Sequence, residues 1–465
     1  MRSKILRPKI LVATTSRWYP TARLVMALDQ AGCEVDAVCP RRHPLTQTSA
    51  VGRVHGYSGF SPLASFARAL SASQPDLIVS GDDLTTQHLQ RLYRRENSRR
   101  ANERTPQAAA HSSSSPLCEL IERSFGSPES FPVVSARTAF MNLAQAEGLR
   151  VPATEVVESL ASLKKWIARS GLPAVLKANG TSGGDGVRVV HTAEEAEQAF
   201  ERLQAPPLLA RAVKRALLDR DTTLLWPSLT RRRSVVNAQA FIAGREATSA
   251  LFCWQGKVLA SHHFEVMQKA SAAGHATVLR QVEHPEMSAA AEAMARRLRL
   301  SGFYGLDFML EAETGCAFLI EINPRATQVG HLSLGAGRDI PAALYQTLCA
   351  REALLASPPN PPSDLRPARQ VRKVTENDTI ALFPQEWIRD PESAYLRSAY
   401  HDVPWEEPDL VRDCVRQRKK QSAWYTRSSR KSVEAIAQPR PANPSFGERS
   451  VGASAEAGSV EFGGK

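Results

Sequence analysis

The chain has no run approaching the roughly 18 apolar residues of a membrane-spanning helix, so no membrane span is expected. Its N-terminus is basic, but the apolar stretch behind it, Ile10 to Ala13, is far too short for a signal peptide. The 7 cysteines are scattered without paired spacing, and no Cys/His cluster suggests zinc. These absences lead us to expect a reduced, cytoplasmic protein. The first candidate strand is followed by Thr-Thr-Ser-Arg-Trp (14 to 18) and not by Gly-x-Gly-x-x-Gly, which disfavours a dinucleotide-binding domain. No Ser/His/Asp or Cys/His arrangement points to a nucleophilic side chain. No internal repeat is found either.

What is present is ordinary in bulk. At 465 residues the chain can form two or three domains with substantial cores. An apolar fraction of 43% with 23% charged residues suits a soluble globular protein. The formal charge of +12 comes largely from arginine clusters, Arg91 to Arg104 and Arg412 to Lys431, in segments that read as unfolded. A basic patch can bind nucleic acid or an anionic membrane. Here no aromatic stripe or nucleic-acid motif accompanies it, so solvated segments are the preferred reading and no nucleic-acid partner is expected.

Residues 9 to about 95 alternate strand and helix: strands at Lys9 to Thr14, Glu34 to Val38 and Leu77 to Ser80, helices at Thr21 to Ala31 and Ser65 to Ser73. That is the βαβ rhythm of a parallel sheet. Glu96 to Pro116 is low in complexity. Helices at Leu117 to Phe125 and Ala136 to Glu147 lead into a second α/β portion, which a Pro-rich stretch, Ser357 to Pro367, closes. Thr379 to Arg412 holds enough apolar and aromatic residues to dock somewhere, and the run Leu-Phe-Pro-Gln-Glu-Trp (382 to 387) reads as docking on the chain's own core.

Two constellations carry chemistry. Gly-Phe-Tyr-Gly-Leu-Asp-Phe-Met-Leu (302 to 310) and Phe-Leu-Ile-Glu-Ile-Asn-Pro-Arg (318 to 325) alternate apolar and polar residues around the turn chemistry of Glu-Thr-Gly, 313 to 315. A hairpin centred on Thr314 would set Asp307 opposite Glu321. Period-two alternation would then put Glu321, Asn323 and Arg325 on one face, with Ile320 and Ile322 in the core. Acids and amides are depleted in strands, so their shared face favours function over a bland surface hairpin. Two carboxylates, an amide and a guanidinium suit Mg²⁺ bridging phosphates. The second constellation is Pro173 to Val190, two short strands around a glycine-rich loop. Lys177 shares a strand face with Val175, beside Gly180, Gly183, Gly184 and Gly186, whose backbone can approach a phosphate closely. Thr192 and Glu195 form a capping box for the helix that follows. The spacing excludes Walker A, which needs Gly-Lys-Ser/Thr at the loop's end. By itself this loop reads equally well as a plain glycine hairpin.

In this order, the lysine with its glycine loop and then Asp…Glu-x-Asn-x-Arg, the chain resembles the ATP-grasp superfamily. The Glu-Ile-Asn-Pro-Arg run is similar to the carbamoyl-phosphate synthase large-subunit and carboligase branch. The resemblance covers residues 130 to 350, with 9 to 95 as the family's usual preceding domain. It implies an α/β (α+β) fold with a Rossmann-like N-terminal domain (1–95) and a two-lobed ATP-grasp domain (117–350); composition adds a low-complexity linker between them (96–116), a C-terminal extension (351–412) and a disordered basic tail (413–465). It further implies that Lys177 contacts the α- and β-phosphates and that Gly180, Thr181, Ser182, Gly183, Gly184 and Gly186 cover the triphosphate. Gln239, Phe241 and Ile242 resemble the hinge that holds adenine through backbone groups, and Glu246 the position that binds ribose hydroxyls. Asp307, Glu321 and Asn323 would hold Mg²⁺ (or Mn²⁺), with Arg325 beside the transferring phosphate. Where the family carries a first lysine this chain has Arg137, a cation of different geometry. At the hinge's first position, often glutamate, it has Gln239.

The activity so implied is an ATP-dependent ligation: a small carboxylate becomes an acyl phosphate and an amine displaces the phosphate. The partners are then small molecules, and a homo-oligomer is compatible with them. The rival is an ATP-binding regulatory or assembly protein without turnover. Retention of Asp307, Glu321 and Asn323 argues for catalysis. His262 and His263 read as structural, while His275 and His331 are candidates for substrate or supporting contacts. Asp82 and Asp83 end a strand where α/β proteins often place ligand contacts, but they read first as turn or cap residues.

Overall fold

Lys9–Ala13 (β1) is almost wholly apolar, and Ile10 to Ala13 are fully buried. A strand buried on both faces belongs inside a parallel sheet covered by helices. The computed structural model, which describes residues 7–103, 115–179, 186–205, 233–272, 274–335, 337–355 and 379–422, places β1 there. Glu34–Cys39 (β2), Val54–Gly56 (β3) and Leu77–Ser80 (β4) complete a parallel sheet ordered β3-β2-β1-β4. Tyr19–Gln30 (α1) packs Leu24, Val25 and Leu28 with Ile10 and Val12, and Pro62–Ser73 (α2) packs Phe66, Ala69 and Leu70 with Leu11 and Ala13. Period-two alternation along β1 thus feeds two separate cores.

Asp83–Glu103 (α3) follows β4. The arginine-rich run from Arg91, and the first residues of the stretch expected to be a linker from 96, are helical and not unfolded. Leu89, Leu92 and Tyr93 pack against the second core, and Glu96 pairs with Arg99 and Arg100 one turn on, so an apolar face and i,i+3/i,i+4 pairs sustain the helix. The rest of that stretch, 104–114, lies outside the described residues. Pro116–Phe125 (α4), Phe131–Ser135 (α5) and Arg137–Ala146 (α6) lead on.

A second sheet, ordered β5-β8-β6-β7 and antiparallel, comprises Thr154–Val157 (β5), Ala174–Ala178 (β6), Val187–Val190 (β7) and Val236–Ala240 (β8). Leu160–Ser170 (α7) and Ala193–Gln204 (α8) cover one face with Leu163, Trp166, Ala196 and Phe200. The Thr192 side chain accepts from Glu195 N at 3.1 Å, but the returning Glu195 carboxylate takes His191 N at 2.7 Å, one residue earlier than a capping box would have it.

The third sheet has the order β13-β12-β9-β10-β11-β14-β15. Its strands are Gly244–Trp254 (β9), Lys257–Lys269 (β10), Ala276–Val282 (β11), Gly302–Glu311 (β12), Ala317–Asn323 (β13), Thr379–Ala381 (β14) and Tyr400–His401 (β15). Pro285–Leu298 (α9) covers one face with Met287, Ala291, Met294 and Leu298. The other face shares a core with β1, α1 and Ile340–Leu355 (α10) through Ala250, Phe252, Phe264, Phe303, Ile340 and Leu344.

The C-terminal extension is structural. Besides β14 and β15 it contributes Gln385–Arg389 (α11), Tyr395–Ser398 (α12) and Pro408–Ser422 (α13). As the sequence suggests, the 382–387 run docks on the core: Phe383 and Trp387 pack with Tyr19, Met26 and Leu45 of the first sheet's unit. Asp402 accepts from Arg23 Nη2 and His331 Nε2, each at 2.6 Å. α13 runs on to Ser422, ten residues into the expected tail, because Leu410, Val411 and Cys414 bury a face beside the same cluster. The remainder of the expected tail, 423–465, and the Pro-rich stretch lie outside the described residues. Among the described residues no helix is long and apolar enough to cross a membrane.

Trp387 is 0% exposed where the extension meets the first unit. Trp387→Ala should cost about 3–5 kcal/mol of stability in chemical denaturation. An unchanged midpoint would show that the extension is not part of the folded core.

Candidate functional site

The hairpin of β12 and β13 sets the geometry. Asp307 pairs with Glu321, Leu306 with Ile322 and Gly305 with Asn323, the register expected from the turn at Thr314. Immediately after Asp307 the register shifts, so that Phe308 faces Leu319 and Ile320 is an extra residue. This β-bulge corrects one expectation: Leu319, 1% exposed, takes the inward place and Ile320 is only half-buried. The bulge leaves Glu321 and Asn323 on the face away from α9, together with Asp307.

Neighbouring strands complete that face. β9 lies beside β12 with Thr248 opposite Asp307, and Thr248 Oγ1 donates to Asp307 Oδ1 at 2.8 Å. Asn323 Nδ2 donates to Asp307 Oδ2, also at 2.8 Å. Two residues earlier on β9, Glu246 accepts from Lys269 Nζ at 2.5 Å. Burial first, then the Glu321 charge, hold the Asp307 carboxyl above its ordinary value, against the opposing pull of Thr248, Asn323 and Arg325.

Two cations face these acids, Lys177 from the second sheet and Arg137 from α6, whose Phe140, Met141 and Ala144 pack in the core of the third sheet. Lys177 on β6 is 5% exposed, and burial lowers its ammonium to about 8 even though Glu321, Asp307 and Glu246 act to raise it. Arg137, the first residue of α6, donates from Nη2 to Glu321 Oε1 at 2.5 Å, while its Nη1 is buried without a partner among the described residues. Asn237 on β8, opposite Lys177, is wholly buried and accepts from Thr138 Oγ1 at 2.6 Å. It also donates to Lys177 O at 3.2 Å and Asn179 Oδ1 at 2.9 Å, which anchors the lysine's strand.

Gln239 is 2% exposed and donates from its side chain to Thr154 Oγ1 at 3.0 Å, so it ties β8 to β5. Residues 241–243 then cross from the second sheet to the third; Phe241 is 38% exposed and Ile242 half-buried. Gly180, Thr181, Ser182, Gly183 and Gly184 lie outside the described residues. At the loop's base, Ala178 N donates to Gly186 O at 2.9 Å.

Arg325 follows the last strand of the hairpin and reaches back to the first sheet's unit. Its Nε donates to Asp83 Oδ2 at 3.2 Å, Nη1 to Ala326 O at 3.2 Å and Nη2 to Asn323 Oδ1 at 3.3 Å. The guanidinium lies 5.5 Å from the Trp18 ring centroid. Burial disfavours its charge, but Asp83 more than offsets this and the arginine is held above its ordinary value. Thr248, Asn237, Lys269 and Asp83 are residues that sequence reasoning missed or set aside. Asp83's place just beyond β4 was the one available signal. Of the histidines, His263 lies between Ser249 Oγ (2.7 Å) and Ser288 Oγ (2.9 Å), His331 lies on Asp402, and His275 is exposed. Among the described residues no group of three or more His, Cys, Asp or Glu gathers. A metal here would rest on two carboxylates and an amide.

Residues 136–335 match the family model described as the carbamoyl-phosphate synthase L chain, ATP binding domain. This segment is an ATP-grasp domain. It contains Arg137, Lys177, Gln239, Phe241, Ile242, Glu246, and Asp307 through Arg325. Among solved structures the chain is similar to the biotin carboxylase domain of Hydrogenobacter thermophilus 2-oxoglutarate carboxylase, in complex with MgADP, ADP and bicarbonate. There the identity is 14% over 69% of this chain and 64% of that one, with a TM-score of 0.48. It is also similar to the ADP complex of purK, N5-carboxyaminoimidazole ribonucleotide synthetase (16% identity, 71% and 74% covered, TM-score 0.49). A third is the Campylobacter jejuni biotin carboxylase bound to β-γ-ATP (14%, 69% and 65%, TM-score 0.47). The chain spans 64% of the length of the first of these, and none of the likenesses bears on what this chain binds. No curated protein matches the sequence.

Because the Asp307 carboxyl is raised, its charge burdens the folded state at neutral pH. That penalty is present above the folded-state value and absent below the unfolded one. Asp307→Asn should therefore leave the melting temperature at pH 7 unchanged or higher. A drop of several degrees would contradict the burial cost.

Proposed function

We propose that the chain is an ATP- and Mg²⁺-dependent ligase that activates a small carboxylate as an acyl phosphate for attack by an amine. The observation that carries this reading is the ion pair of Arg137 with Glu321, with Lys177 of the second sheet buried in the field of Glu321 and Asp307 of the third. Two carboxylates facing one another across a half-buried hairpin call for a cation. The hard oxygens of Asp307, Glu321 and Asn323 fit Mg²⁺ or Mn²⁺, with phosphate oxygens and water completing the shell. The unpartnered Nη1 of Arg137 and the desolvated Lys177 ammonium likewise fit an anion between the lobes. Bound there, Mg²⁺ would supply charge neutralisation at the phosphate oxygens.

In this reading Lys177 holds the α- and β-phosphates, and Arg137 stands where a first lysine would. Gly180, Thr181, Ser182, Gly183, Gly184 and Gly186 close over the triphosphate. The backbone from Gln239 through Phe241 and Ile242 holds adenine, and Glu246 takes the ribose hydroxyls after giving up Lys269. Arg325 faces the transferring phosphoryl group and takes up its developing charge. The substrate carboxylate oxygen forms a bond to the γ-phosphorus as the bond to the ADP oxygen breaks. The amine then attacks the acyl carbon, loses a proton and expels phosphate. Positioning and charge neutralisation suffice, and no side-chain nucleophile is called for. The reading involves small molecules alone, with no nucleic-acid partner.

ADP and phosphate release over pooled amino acids, hydroxy acids and fatty acids tests the activity. Stimulation by at least one pool, lost about 100-fold or more in Glu321→Gln with folding intact, is the expected outcome, on the scale of removing a transition-state charge contact. No stimulation by any pool would favour a nucleotide-binding regulator, and wild-type turnover in the variant would refute the metal role.

A further inference from the structure

The first sheet's unit, distant in sequence from the hairpin, grips the Asn-Pro-Arg-Ala run on both sides. Thr86 Oγ1 donates to Pro324 O at 2.7 Å, and Ala326 N donates to Ser80 O at 2.9 Å. Arg325 is thereby seated at the carboxyl ends of β1 and β4, between which the sheet order reverses. In open α/β sheets this crevice is a ligand site. Here it is filled from within. The Asp82 carboxylate accepts from Thr15 N (2.5 Å), Thr14 Oγ1 (2.8 Å), Thr15 Oγ1 (2.9 Å), Thr85 N (2.8 Å) and Ser16 N (3.2 Å). Those are the donors that an anion would need, and they are spent on the protein's own side chain. The next residue, Asp83, is consequently fixed in direction and has Arg325 Nε as its partner.

We propose that Asp83 is a positioning residue for Arg325, so that the first sheet's unit completes the phosphoryl-transfer site by aiming its guanidinium; this rests on the reading of Arg325 given above. The geometry forms a relay. Asp82 is locked by the loop after β1, Asp83 takes Nε, the guanidinium carbon lies over the Trp18 ring, and Nη2 reaches Asn323, whose amide holds Asp307. A guanidinium is a rigid planar fork, so fixing Nε fixes where the remaining N–H groups point. Preorganised donors help because they need not reorient as charge develops, and a small misplacement costs rate without costing ground-state binding. The ion pair itself is poorly suited to gluing the units together. Asp83 is 33% exposed, and pairs so open to solvent contribute little stability. The apolar clusters already join the units.

The test uses the full chain and no unknown substrate. MgADP with aluminium fluoride mimics the transferring phosphoryl group, so its gain in affinity over MgADP alone reports a correctly aimed Arg325. Asp83→Ala should bind MgADP within twofold of wild type, melt within a few degrees of it, and lose the aluminium fluoride gain by tenfold or more. Asp83→Glu should restore much of that gain. Arg325→Ala is the control and should abolish it. If Arg325→Ala loses the gain while Asp83→Ala keeps it, positioning by Asp83 is overturned and the site reading survives. A gain that persists in Arg325→Ala, or is missing in wild type, overturns the role of Arg325 and with it the proposal. Loss of MgADP binding together with a large fall in melting temperature in both Asp83 variants would assign the residue a structural role instead.

Discussion

Two carboxylates on adjacent strands, pointing the same way and largely removed from water, repel one another at a cost that folding alone does not recover. Asp307 and Glu321 are held in this relation by strand register, and the surrounding residues answer it. Thr248 and Asn323 donate to Asp307, and Arg137 donates to Glu321. Lys177 sits in the field of both, its own charge weakened by burial. Each cation and each acid is stabilised by its opposite, and the balance is incomplete in a way that suits a metal-bound polyanion. The cleft is an electrostatic arrangement first and a shape second.

That arrangement depends on three sheets meeting. The second sheet brings Lys177, residues 241–243 join it to the third, and the first sheet's unit reaches Arg325 through Asp83. The C-terminal extension clamps the first unit to the third sheet, with Asp402 tied to Arg23 on one side and His331 on the other. A segment with no recognisable motif thus helps keep the cleft's walls in register.

The sequence disclosed local features well. Alternation around Glu-Thr-Gly was enough for the Asp307–Glu321 register, since hairpin pairing follows turn position. It could not disclose the bulge at Ile320, because one extra residue leaves the apolar composition unchanged while altering which side chain points inward. Asp83 reads in the sequence as a turn or cap residue, because its partner is distant in sequence and only tertiary contact distinguishes a counter-ion from a helix cap. Thr248 and Asn237 carry no signal by type, and their importance is that each faces a charged residue on the neighbouring strand. The arginine-rich stretches misled in the other direction. Charge density suggests solvated coil, whereas Leu89 and Leu92 give the helix through Glu103, and Leu410 the helix through Ser422, an apolar face that packs on the core.

Calorimetric titration of the full chain with ADP, with and without Mg²⁺, between pH 7 and pH 9 tests the cleft most directly. Lys177 is charged below about 8 and neutral above it in the free protein. Binding should therefore be strengthened by Mg²⁺ and should weaken as pH rises through that range, while Lys177→Arg flattens the dependence. Absence of ADP binding, or binding indifferent to Mg²⁺ and unchanged across that range, would contradict the account of a cation-lined, metal-assisted nucleotide site.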